Sequence, residues 1–210
     1  LVSGVALMLH LDQFDTQIVS QNLISGADNF PLMAVPFFML AGELMNAGGM
    51  SRRIVNSAMV WVGHFRGGLG YVAVFAALVM ASLSGSAVAD TAALAAVLMP
   101  MMRKAGYRMD RSAGLIAAGG IIAPVIPPSI GFILFGVIGG VSISKLFLAG
   151  IVPGLLMGAA LIVTWWIVAH NDKVDVAPKV PMRERVRVTA DAFWSYLLAF
   201  TIIGGMKAGI

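Results

Sequence analysis

Residues 67–102 read GGLGYVAVFAALVMASLSGSAVADTAALAAVLMPMM, and the folding of this stretch decides the rest. As a single helix it would measure about 54 Å, well beyond the roughly 30 Å of a bilayer's hydrocarbon core. Basic residues flank it: Arg52, Arg53 and Arg66 before, Arg103, Lys104, Arg108 and Arg111 after. Such clusters stay on the cytoplasmic side of a membrane, so both ends belong there and the chain has to turn round between them. The turn falls at Ser82-Leu83-Ser84-Gly85-Ser86. It leaves arms of about 15 and 14 residues, each reaching roughly 20–23 Å. Arms that short favour a re-entrant hairpin over two complete spans. Backbone that leaves the helix at such depth is tolerated only inside protein or beside a watery cavity, so the hairpin tip is a candidate site by geometry alone.

The composition requires a membrane. The chain is 59% hydrophobic and only 11% charged, whereas soluble domains carry roughly 25% charged residues. A cytosolic enzyme, a disordered tail and a nucleic-acid module are excluded. With no cysteine, disulfides, thiolate metal sites and thiol catalysis are excluded too. The opening LVSGVALML is short for a span and has no basic flank, and Leu1 stands where a start would have Met. It reads as the end of a truncated helix, part of something longer, and not as a signal peptide.

Besides 67–102, apolar stretches lie at about 31–50, 112–144, 146–169 and 192–206. A third basic segment carries Lys173, Lys179, Arg183, Arg185 and Arg187, so that 12 of the 14 Lys and Arg residues fall in three segments. All three face the cytoplasm on this reading. The polar stretch with Asp12, Asp15 and Asp28 has no Lys or Arg and belongs outside. The four other stretches then run inward, outward, inward and outward in turn.

Stretch 112–144 carries a second interruption. SAGLIAAGG makes a half-helix; Gly119-Gly120, Pro124 and Pro127-Pro128 follow in mid-membrane, and SIGFILFGVIGGV resumes. Adjacent prolines remove two backbone donors and clash with the preceding turn, while Pro128 suits the first turn of the second half. A kinked helix with no ligand would carry the same residues, since Gly and Pro are common in membrane helices. Two breaks at mid-depth in neighbouring segments point to a discontinuous-helix transporter site.

A broken helix exposes carbonyls at the end of its first half and amides at the start of its second, so that one end holds a cation and the other an anion. At the tip the Leu83 and Ser84 carbonyls and the Ser84 and Ser86 hydroxyls are available. At the second break the carbonyls of Ala118 to Ile122 are available. Such an oxygen set suits a hard cation such as Na⁺. Asp90 is the sharpest single residue, because a carboxylate deep in lipid is costly. It also reads as a cap or first-turn residue of the return arm, and the two roles are compatible. Glu43 reads as an interfacial carboxylate near Arg52 and Arg53, or as a coupling or packing group. His10, His64 and His170 fall at span ends without ligand spacing. Trp61, Trp165, Trp166 and Trp194 fit an aromatic belt, and SRRIVNSAMVWV fits an amphipathic helix along the inner surface. No HExxH, GxSxG or GxxxxGK[ST] motif occurs, and Asp90 has no mid-membrane acid partner for an aspartyl protease. Uphill transport would have to draw on an ion gradient.

At these residues the chain resembles the large membrane subunit of tripartite ATP-independent periplasmic (TRAP) transporters, the DctM-type permease. The likeness is carried by FPLMAVPFFMLAGELMNAGGMSRRIV, GHFRGGLGYVAVFAALVMASLSGSAVADTAA, MPMMRKAGY, SAGLIAAGGIIAPVIPPSI and SISKLFLAGIVPGLLMG, in order from about Asn29 to Ile210. SGSAVADTAA and IIAPVIPPSI are specific when they occur together. The resemblance implies an all-α polytopic membrane protein, the first repeat of an ion-transporter-superfamily fold of elevator type. Residues 1–66 and 145–210 would lie on the scaffold side and 67–144 on the transport side. It implies Na⁺ held where hairpin tip meets broken helix: Ser84, Gly85 and Ser86, with Asp90 and Thr91 alongside, facing Gly119, Gly120 and the segment Pro124, Pro127, Pro128 and Ser129.

The resemblance further implies a multi-pass protein of the bacterial inner membrane with no cofactor beyond the coupling ion. The partners would be a small four-helix membrane subunit and a periplasmic solute-binding protein. The latter delivers an organic anion: a C4-dicarboxylate, sialic acid, or a sugar or keto acid. The family's second repeat would follow Ile210, so the chain offers one hairpin and one broken helix. The alternatives are a structural membrane subunit with no ion or substrate site of its own and an intramembrane hydrolase.

Overall fold

The computed structural model describes residues 6, 9, 10, 16–28, 30–169, 174 and 178–208. The opening segment apart from Ala6 and Leu9, together with Asp12, Asp15, His170 and Lys173, lies outside the described residues. Among the described residues the fold is all helix: α1 (Thr16–Ala27), α2 (Phe30–Ala47), α3 (Met50–Val62), α4 (Gly68–Ser84), α5 (Ala87–Lys104), α6 (Met109–Gly120), α7 (Ile130–Gly139), α8 (Ile143–Ala169), α9 (Met182–Asp191) and α10 (Phe193–Ala208). Two helices are long and apolar enough to cross a bilayer by themselves, α2 and α8. Met182–Asp191 and Phe193–Gly205 make a third candidate if the pair, bent by 57°, is counted as one span. Helices α1 and α9 lie in polar and basic stretches where the apolar pattern gave no sign of them.

Both predicted breaks are present. Helix α4 ends at Ser84 and α5 begins at Ala87, with Gly85 in the left-handed region at φ 61°. At 17 and 18 residues the arms measure about 25 and 27 Å, longer than expected because the first runs on through Ser82, Leu83 and Ser84 of the expected turn and the second runs on to Lys104. Helix α6 stops at Gly120 and α7 starts at Ile130 behind the N-cap Ser129. Pro128 therefore precedes the cap instead of occupying the first turn: the Ser129 hydroxyl accepts from the Phe132 amide at 3.3 Å and takes over helix initiation.

Helix α4 is the post around which the others stand. It is apolar all round and buried on nearly every side, the expected condition of a helix with no polar stripe. Helix α5 presents one buried stripe to it, Asp90, Leu94, Leu98 and Met102. Helix α3 presents Ser51, Ile54, Val55 and Ala58, the i, i+3, i+4, i+7 face of an amphipathic helix; its Arg52 and Arg53 point outward. Helix α8 approaches through Gly150, Gly154 and Gly158. Side chains there would collide with the Val125 carbonyl, with Ile126 and with Leu78 respectively, so small residues allow α8 to lie against the second break.

Trp165 is not part of an aromatic belt. It is 3% exposed, stacks on Tyr107 with ring centroids 6.1 Å apart, and donates its indole N–H to the Gly67 carbonyl at 2.8 Å. Trp166 and Trp194 are exposed, and Trp61 donates to the Thr189 hydroxyl at 2.9 Å. In the basic loop before α6, Arg108 meets Asp110 at 2.7 Å and its hydrogen bond holds that carboxyl below the usual range. Trp165→Phe would keep most of the packing and remove one of the two hydrogen bonds to the Gly67 carbonyl, leaving it the Gly70 amide. Thermal unfolding of the full-length protein in detergent is expected to report a loss of about 0.5–1.5 kcal/mol.

Candidate functional site

The tip is built by three short-range devices. Gly85 takes the left-handed conformation that ends α4, a conformation that costs other residues about 1–2 kcal/mol. The Ser86 hydroxyl caps α5 by accepting from the Ala89 amide at 3.4 Å. The Ser84 hydroxyl accepts from the Ser86 amide at 3.1 Å and donates to Asp90 Oδ1 at 2.6 Å. The cap is thus Ser86, and Asp90 lies in the first turn behind it. There its charge meets the positive end of α5 and leans on Ser84. Thr91 returns its hydroxyl to the Ala87 carbonyl at 2.6 Å.

The second break meets this tip directly. A side chain at Gly85 would strike the Pro128 carbonyl and approach the Ser129 Cα to 3.2 Å. One at Gly120 would strike the Thr91 hydroxyl, and one at Gly119 would come within 3.2 Å of the Ala77 methyl. Pro127, Pro128 and Ser129 are buried, the Pro127–Pro128 bond is cis, and Ser129 donates to the Pro124 carbonyl at 2.6 Å. Gly85, Thr91, Gly120, Pro128 and Ser129, named from sequence, are therefore brought into one place. The Gly119 and Gly120 carbonyls each accept one turn amide, from Ile122 and Ala123, and keep one lone pair, while the Ile122 carbonyl accepts two, from Val125 and Ile126, and keeps none. Among the described residues there is no cluster of three His, Cys, Asp or Glu, so the site's chemistry is that of neutral oxygens and one carboxylate.

Asp90 faces elsewhere in part. It is 2% exposed, and its Oδ2 has no hydrogen-bond partner. It borders a small void shared with Gly42, Asn46 and Ser51 of the α2–α3 corner. Gly42 is the point of closest approach, where a Cβ would sit 3.0 Å from that of Ser84. None of these three was singled out from the sequence. The Gly48-Gly49 corner between Asn46 and Ser51 was the available signal, but only tertiary packing shows which helix that corner faces. Glu43 is exposed on the neighbouring turn.

Comparison with known proteins places this geometry. The family model described as the tripartite ATP-independent periplasmic transporter, DctM component, matches residues 1–210. The chain belongs to the DctM family. It is 59% identical over 210 residues to the 2,3-diketo-L-gulonate TRAP transporter large permease protein YiaN of Escherichia coli, covering 100% of this chain and 49% of that protein. Over 206 residues it is 40% identical to the sialic acid TRAP transporter large permease protein SiaM of Vibrio cholerae, covering 98% and 48%. Over 208 residues it is 36% identical to the C4-dicarboxylate large permease protein DctM of Pseudomonas aeruginosa, covering 99% and 49%. The chain spans about half the length of these relatives. They are permeases, a class without enzymatic activity, and the chain is accordingly a multi-pass membrane protein.

In this DctM chain Gly85→Ala combines an unfavourable backbone with a collision at the Pro128 carbonyl. Gly106→Ala, at φ 80° with open space around it, incurs only the backbone cost of about 1–2 kcal/mol. Thermal unfolding of full-length variants in detergent is expected to rank Gly85→Ala well below Gly106→Ala, the difference reporting the contact between the two breaks.

Proposed function

We propose that this chain is part of the permease subunit of a Na⁺-coupled secondary transporter that imports an organic anion across the bacterial inner membrane. The observation that carries the reading is the meeting of two chain breaks beside a buried carboxylate. Gly85 lies against Pro128, Gly120 against Thr91, and Asp90 next to them is bonded through one oxygen only. Ser84, Ser86, Asp90 and Thr91, with the remaining lone pairs of the break carbonyls, form an oxygen set suited to an alkali cation. The positive end of α7, reached by Ser129, suits an anionic group.

Substrate would arrive on a periplasmic binding protein, and a small membrane subunit would brace the scaffold, as the family's tripartite name suggests. The α4–α5 hairpin would be re-entrant, its arms being shorter than a hydrocarbon core, and 67–144 would form the moving side of an elevator against 1–66 and 145–210. A sugar or keto acid is the favoured substrate, by similarity to the diketogulonate permease. Sialic acid and C4-dicarboxylates are the other candidates.

The test is uptake into proteoliposomes holding the full-length protein, its small membrane subunit and its binding protein, with 2,3-diketo-L-gulonate, sialic acid and succinate offered in turn. An inward Na⁺ gradient without ATP is expected to drive uptake of one of them. Asp90→Ala and Ser84→Ala are expected to lower it by about ten-fold or more, the loss of one charge-assisted hydrogen bond. Uptake indifferent to Na⁺ in the wild type, or unchanged Na⁺ stimulation in both variants, would overturn the assignment.

A further inference from the structure

Asp90, whose Oδ2 has no hydrogen-bond partner, lines a void to which the second break contributes no residue. The void it borders is about 10 Å³ in volume and lies between the hairpin and the α2–α3 corner, with Gly42, Asn46, Ser51 and Ser84 around it and apolar side chains closing it. That volume is the threshold for a single water, so the space takes one small bare ion and no hydration shell. Its polar donors are all oxygen or amide. Ser51 donates to Asn46 Oδ1, which leaves the serine's own lone pairs and one lone pair of the amide oxygen available. No basic side chain lines it. A carboxyl 2% exposed, with one oxygen unpartnered, holds either a proton or a cation at that oxygen.

We infer that Asp90, Asn46 and Ser51 form a binding site for one small monovalent cation, in the void between the hairpin and the α2–α3 corner, to which the broken helix contributes no residue. The inference rests on the reading of the chain as Na⁺-coupled and assigns ligands to the α2–α3 corner, outside both breaks. Oxygen donors select a hard ion, and a carboxylate among them attracts the smaller Li⁺ and Na⁺, which approach more closely, more strongly than K⁺.

The test is equilibrium binding of radiosodium to the purified full-length protein in nanodiscs, with Li⁺ and K⁺ as competitors. Ser51→Ala removes a donor at little structural cost, and Asn46→Leu fills the void. Each is expected to weaken binding at one site by about ten-fold or more, while Thr164→Ala, on the exposed face of α8 and away from both breaks, leaves that site's affinity unchanged. Li⁺ is expected to compete there and K⁺ not. Monodisperse elution and an unchanged melting temperature of Ser51→Ala identify a folded variant; if Asn46→Leu fails to fold, Ser51→Ala and the competition profile decide alone. Wild-type affinity in Ser51→Ala together with loss in Asp90→Asn would put the ion on the cleft side, overturning this inference and leaving the proposed function standing. No radiosodium binding by the wild type would overturn both.

Discussion

Polypeptide that leaves the helix in a low-dielectric interior loses its internal hydrogen bonds and cannot recover them from lipid. This chain does so twice, at Gly85-Ser86 and from Ile121 to Ser129. The contact between Gly85 and the Pro128 carbonyl is what lets both breaks exist, because each covers the other. Short-range bonds do the rest. Ser86 and Ser129 cap the helices that follow, Ser84 takes up the Ser86 amide, and the turn amides after Gly119 return to carbonyls one turn back. The residues that satisfy the backbone are thus the same oxygen-bearing residues that a cation would need.

That double use explains why small residues recur where they do. A Cβ at position 85 or 120 would separate the two breaks, one at 119 would press on Ala77 of α4, and one at 150 or 154 would push α8 off the second break. Gly42 does the same for α2 against Ser84. These are steric requirements of a place where backbone must approach backbone, and they occur whether or not an ion is bound. Asp90 is different in kind. Packing does not require a carboxylate there, and burying one with a single hydroxyl for company is costly.

The sequence was most legible where a pattern was local. The hairpin turn followed from a length too great for one span and from Ser-Gly-Ser at its middle, and the second break from Gly119-Gly120 and Pro127-Pro128. Helical spacing marked α3 as amphipathic, but as a helix along the membrane surface; it does not show that Ile54, Val55 and Ala58 pack into the core around α4. What could not be read was pairing. Asn46 and Ser51 look like ordinary polar residues beside a Gly-Gly corner until α2 is laid against Ser84. Trp165 looks like any tryptophan near a span end until Tyr107 and the Gly67 carbonyl are brought to it. Helices α1 and α9 were missed for another reason: both are polar, so a search for apolar stretches passes over them.

The packing also bears on which parts move, if the hairpin is the moving side of an elevator. Residues of α3, α4, α5, α6, α8 and α10 share one continuous core, in which Ile54 and Val55 are as fully buried as Val72 and Leu98. Interdigitated side chains of that kind resist sliding, so α3 is held to the hairpin despite lying before residue 67. Helix α2 is held more lightly: Gly42 is its one buried residue among those described, a smooth point of contact beside the half-buried Met45 that packs on the core. A displacement of the hairpin meets least resistance along α2. A cation held by Asp90 and Asn46 would sit across that smooth face, where its presence or absence changes the freedom of the hairpin more than it would anywhere inside the shared core.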